Sequence, residues 1–218
     1  MPSKAYIHFQ KNAETVERLC KTYYDIKQQQ HCHGGRGAFD HLTRSAIVFL
    51  VSAFEVYCED LLRETSEYLI KNAKDAINLP HDVRSTICEQ AKKTSPLDLC
   101  DEGWRKVYKQ IVEDRTNGLN TPNTKNLEKI FQELVGMKPT IIRNLLTDSK
   151  GNNMIDPIII FRGTIVHQVR ANQYVQIETV QDYKQVIANI VVQLDKKMCD
   201  HIKSQSLAKN QPWRKQYK

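Results

Sequence analysis

The sequence predicts an all-α protein: a four-helix bundle with an inserted lobe of shorter helices. Three observations carry that expectation. Gly and Pro number only 8 and 7 in 218 residues, so few breakers interrupt the chain. Apolar residues recur at three- and four-residue steps over long stretches, with no sustained strict alternation of the kind a half-buried strand needs. Four of these stretches are long, and a block of short ones lies between the second and the third.

The first helix is expected over residues 3–28, where Tyr6, Phe9, Ala13, Val16, Cys20, Tyr23 and Ile26 form one apolar stripe. The segment that follows contains Gly34-Gly35-Arg36-Gly37. It lacks both the Gly-Lys-Ser/Thr ending and a preceding strand, which excludes a P-loop. The second helix is expected over 40–74. Its run from Ala46 to Phe54 is apolar on almost every face, the pattern of a helix surrounded by others. Glu55 interrupts it, and a carboxylate there needs a cationic partner or a proton unless it reaches water. Arg162 and His167 are candidates for that partner.

Residues 81–150 read as an insertion of helices over 82–93, 101–115, 124–135 and 139–147. Asn123 or Thr124 can cap the third of these and Gly136 can close it. A helix over 156–172 follows, with Asp156 as its cap and Pro157 as its first residue. Thr179-Val180-Gln181-Asp182 resembles a capping box and opens the last helix, expected to end near residue 202. Residues 1–202 then form one helical domain, and 203–218 a basic, flexible tail.

The formal charge of +7 is uneven, because residues 203–218 carry five cations and no acid and leave the body at +2. Such a tail suits a solvated end or an arm for a polyanion. Six scattered cysteines without a Cys-x-x-Cys fit reduced thiols. His31-Cys32-His33, with His41 nearby, lacks a second ligand pair at finger-like spacing, so neither metal nor cofactor is expected. There is no signal-peptide core, and the longest apolar stretch, 46–58, is short and contains Ser52 and Glu55. These features predict a cytoplasmic protein without a membrane partner. Trp104 and Trp213 lie outside the bundle helices. Either could stack on a base, although Trp104 fits the core of the insertion better.

Arg162 and His167 share a helix whose other residues are almost all core-like. The spacing alone proves little, since chance placement gives about one such pair in a chain of this composition and the sequence contains two, the other being Arg36…His41. Context separates them, because Arg36 sits in the glycine-rich segment. A step of five residues turns an ideal helix by about 140° and rises about 7.5 Å. The two side chains therefore do not share one face, and either arginine's length or a second copy of the helix must bring them together. Gly163 removes bulk and permits close approach by a partner helix or a substrate, or else serves tight helix packing.

The segment Phe161-Arg162-Gly163-Thr164-Ile165-Val166-His167-Gln168 resembles the Arg-x(4–6)-His motif of the HEPN superfamily. The runs from Ala53 to Leu62 and from Pro122 to Phe131 are similar to its RiboL-PSP-HEPN branch, as is the order of elements across roughly residues 40–200. The resemblance implies a HEPN-like helical bundle that dimerises so that two motifs face one cleft. It also implies a metal-independent endoribonuclease of toxin or phage-defence type, with RNA as substrate and a cognate antitoxin or defence-system protein as partner. Arg162 and His167 would be the catalytic pair, with Glu55, Gly163 and Thr164 in support. Arg170, Arg214 and Lys215 are candidates for holding the RNA backbone. The residue after the arginine is usually polar in active members, whereas here it is Gly163. The alternative is a non-catalytic HEPN-like module that binds a protein partner or a nucleotide. An unrelated helical nucleic-acid-binding or scaffold protein is a third reading.

Overall fold

The structure is a computed structural model, and it describes residues 1–29, 39–93, 95–167, 174–205, 212–215 and 217. Eight α-helices and no strand are found among them: α1 (Lys4–Gln29), α2 (Asp40–Asn72), α3 (His81–Lys93), α4 (Gly103–Asn117), α5 (Thr124–Val135), α6 (Pro139–Leu145), α7 (Asp156–His167) and α8 (Ile177–Ser204). Short 3-10 turns at Ala76–Asn78 and Pro96–Leu99 complete the path. The all-α expectation holds, and the helix boundaries follow the apolar periodicity closely.

Helix α2 is the organising element. Its 33 residues span about 50 Å. Ile47, Leu50, Val51, Phe54, Tyr57, Cys58, Leu61 and Leu62 are sealed from solvent on several faces, because α1, α4, α5, α7 and α8 all pack against it. The inserted helices share this core. Tyr108, Leu127, Phe131 and Leu134 belong to the same apolar cluster as Phe54 and Ile190.

Polar side chains fasten the insertion to the long helices. The Arg105 guanidinium of α4 caps the end of α2 by donating to the carbonyls of Ile70, Ala73 and Lys74. This satisfies acceptors that the helix itself leaves open. Arg63 of α2 reaches Thr116 and Asn117 at the end of α4, both at 3.0 Å. His201 of α8 lies 2.8 Å from the Val135 carbonyl at the end of α5.

Local capping signals place α5 well. The Asn123 side chain accepts from the Asn126 amide at 2.9 Å, and Gly136 closes the helix at φ 69°. A side chain at Gly136 would be strained at that φ and would also run into the Pro80 ring.

Three expectations need correction. Helix α8 opens at Ile177, two residues before Thr179, with Gln176 as an N-cap that makes no side-chain cap bond. Burial of Val175, Ile177 and Val180 sets that start, so the Thr179–Asp182 box is not the opening. Asp156 does not cap its own helix. Asn153 does so by accepting from the Ile155 and Asp156 amides, while the Asp156 carboxylate turns to accept the Thr124 amide at 2.7 Å at the start of α5.

The described part of the tail, finally, is docked rather than solvated. Trp213 is buried, and its carbonyl accepts from the Cys199 thiol at 3.3 Å. The Arg214 amide donates to the Met1 carbonyl at 2.8 Å. The Tyr217 hydroxyl donates to Asp195 at 2.6 Å. Asp195 is sealed within α8, and its other oxygen accepts from Ser3. No described helix is long and apolar enough to cross a membrane.

Candidate active site

Helix α7 is held on three sides. Ile158 and Ile165 are buried, and Phe161 meets Tyr183 of α8 edge to face at 6.0 Å. Its N-terminus is tied to α5 through Asp156, which takes both the amide and the hydroxyl of Thr124. The sequence therefore builds a rigid support beneath the Arg162–His167 segment.

Arg162 is part-buried and, by helical phase, lies on the side of α7 that carries Ile158 and Ile165. Its Nε–H is sealed from solvent and has no hydrogen-bond partner among the described residues. No carboxylate there lies within ion-pair distance of its guanidinium. An unmade bond on a buried donor costs about 1–3 kcal/mol, which marks Arg162 as a group that needs a further acceptor. Glu55 of α2 is close enough to feel it. Burial pushes the Glu55 carboxyl up, Arg162 pulls it back, and Glu59 raises it again. Of the two candidate partners for Glu55, Arg162 is the one that acts on it, through space rather than through a hydrogen bond.

His167 occupies the other side of the helix. Ile160, Gly163, Thr164 and His167 follow one another at steps of three, one and three residues, which places them on one stripe. Ile160 is 69 % exposed, and Thr164 and His167 are exposed too. Among the described residues, a Cβ at Gly163 would meet nothing within 4 Å. Gly163 therefore serves no packing among them, and the stripe is an open face of mixed apolar and polar character. The Thr164 hydroxyl donates back to the Ile160 carbonyl at 3.2 Å. Clefts at the α3–α4–α5 junction and near the chain termini are lined by residues outside α7.

The remaining candidate residues divide. Arg170 lies outside the described residues, as do Arg36 and His31-Cys32-His33. Arg214 is exposed, whereas the Lys215 ammonium is paired with Asp200. Both tryptophan rings are buried, which removes them as base-stacking platforms. No group of three or more His, Cys, Asp or Glu side chains that could hold a metal occurs among the described residues.

The family model described as RiboL-PSP-HEPN matches residues 7–200, nearly nine-tenths of the chain. The chain belongs to the RiboL-PSP-HEPN family. Neither a curated protein nor a solved structure matches it. HEPN domains serve in general as nuclease or nucleotide-binding modules, often as dimers and on RNA. In this RiboL-PSP-HEPN chain the Arg-x(4)-His motif is carried by α7, with the histidine on its open side and the arginine against α2.

Sequence reasoning missed two residues at this site. Arg44 of α2 donates to the Ile165 carbonyl at 3.3 Å. Asp40, 3.6 Å from Arg44, accepts the Val175 amide at 2.8 Å. Their i,i+4 spacing is visible in the sequence as a helix pair. Their partners, more than a hundred positions away, leave no local signal.

Proposed function

We propose that this chain is a metal-independent endoribonuclease of toxin or phage-defence type that cuts RNA through attack of its own 2′-OH. The observation that carries the reading is Arg162, a guanidinium with a buried, unmatched Nε–H and no ion-pair partner among the described residues, five positions from an exposed imidazole. RNA supplies the nucleophile. Arg162 binds the scissile phosphate with its fork and stabilises the charge that builds there. His167 moves the proton as general base and then general acid. The products are a 2′,3′-cyclic phosphate and a 5′-hydroxyl, and DNA is not cut.

The two side chains leave α7 on different sides, and the reach of the long arginine side chain together with a second copy laid on the Ile160–His167 stripe brings them to one cleft. The open space at Gly163 and the exposed Ile160 support that homodimer. Glu55 tunes Arg162, the Thr164 hydroxyl lies beside the reacting groups, and Arg170 and Arg214 hold the RNA backbone. A cognate antitoxin or defence-system protein restrains the activity in the cell. A second reading, a non-catalytic module for a protein partner or a nucleotide, draws on Gly163 at the position where active members carry a polar residue.

The deciding experiment is cleavage of a mixed RNA pool in EDTA by wild type, Arg162→Ala and His167→Ala at matched folding and oligomeric state. The wild type is expected to yield cyclic-phosphate ends. Each substitution should cost about a hundredfold or more in rate. Equal cutting by all three proteins would remove the pair from the mechanism. No cutting by the wild type would favour the binding module.

A further inference from the structure

The C-terminal turn of α7 is clasped from below by the first turns of α2. Arg44 donates to the Ile165 carbonyl in that turn at 3.3 Å. Arg44 is well placed to do so, because only 12 % of its side chain is exposed and Asp40, one turn earlier, lies 3.6 Å from its fork. Asp40 has a second task. Its other carboxylate oxygen accepts the Val175 amide at 2.8 Å, where the chain enters α8. One ion pair on α2 thus holds both the end of the motif helix and the approach to the last helix. Tyr174 adds to this anchorage through the Tyr23 hydroxyl of α1 at 3.2 Å.

His167 lies two positions after Ile165. The imidazole leaves α7 from the very turn that Arg44 fixes, on the face away from α2, so Arg44 acts on it through the backbone and not by contact. We infer that Arg44, braced by Asp40, is a positioning residue that sets the place of the His167 imidazole. This inference rests on the ribonuclease reading for its catalytic consequence and on the clasp geometry for its structural one.

The test compares wild type, Arg44→Met, Arg44→Lys and Asp40→Asn, with three readouts: kcat and KM on RNA, affinity for fully 2′-O-methylated RNA of the same sequence, and amide hydrogen exchange over residues 163–167. The expectation for Arg44→Met is a loss of about tenfold or more in kcat with KM and methylated-RNA affinity unchanged, together with faster exchange in that turn. Arg44→Lys, which keeps a cationic donor, should recover most of both. If Arg44→Met fails to fold, Asp40→Asn carries the same measurements, since it loosens the brace while keeping an acceptor for Val175. Unchanged kcat and exchange would overturn the inference. So would an equal loss of kcat and of methylated-RNA affinity, which would make Arg44 an RNA contact. If the wild type cuts no RNA, the ribonuclease reading fails on its own, and exchange decides the clasp: acceleration confined to 163–167 upholds it, and unchanged exchange overturns it.

Discussion

Burial favours the neutral ring of His201, whose Nε2 lies 2.8 Å from the Val135 carbonyl as a donor to it. Burial lowers its proton affinity below the ordinary value of 6.5, and the bond to Val135 opposes that only in part. The sign follows from linkage. The unfolded chain takes up the proton first as pH falls through about 6.5, so the stability this residue contributes is full above that pH and is lost below it. Tm should therefore fall between pH 7.5 and 5.5, and His201→Gln, which keeps a donor for Val135, should flatten that slope in a thermal melt. Glu55, Glu64 and Asp195 act in the opposite sense, since burial raises each of them. Their contributions are present at acid pH and are lost as pH rises past their raised values. At this scale the sequence is legible where a residue's partner is close along the chain. Asn123 caps three residues on, and Gly136 ends the helix it follows. Asp156 shows the limit. Its type marks it as a cap, but which helix it caps depends on a turn 32 residues earlier.

Among the helices, α7 raises the sharpest question, because one of its faces is finished and the other is not. Gly163 lies on the unfinished one. A glycine inside a helix costs about 0.5–1 kcal/mol relative to alanine, and no described residue obstructs a methyl group there. Gly163→Ala should therefore stabilise the isolated chain by about that amount in denaturant unfolding. If a second copy seats on the stripe, the same substitution should weaken association in sedimentation and slow RNA cleavage. Gain in one measurement with loss in the other would show that the glycine is kept for its partner and not for the fold. The helices themselves were predictable from periodicity, to within a residue or two for most. The Arg-x(4)-His segment was readable too, but only through context. What periodicity could not supply was the orientation of Arg162 towards Glu55, or the clasp at Ile165, since both depend on how α2 crosses α7.

For the molecule as a whole, the tail departs most from what composition suggests. Five cations and no acid describe a solvated end, yet Trp213 and Tyr217 outweigh them, because two aromatic rings can find apolar surface that the charges can skirt. Trp213→Ala should cost about 3 kcal/mol in urea unfolding. Removal of residues 206–218 should cost at least as much, by uncovering Cys199 and leaving Asp195 with Ser3 alone of its two hydroxyl donors. A tail that only tracked RNA would change binding at low salt and leave unfolding untouched. The insertion gives a second instance. Its short helices were placed correctly one by one, but their membership in a single core with α2 appears only when Tyr108 and Phe131 are seen beside Phe54.

The bond between Ser3 and Asp195 spans 192 positions. A ribosome adding about 5–20 residues per second needs about 10–40 s to deliver the second partner after the first. Through that interval α1 and α2 can pair with each other, but the side of both that α8 will cover stays bare. The growing chain is then an adhesive object in a crowded cell, and its yield depends on what shields that surface until the last helix emerges.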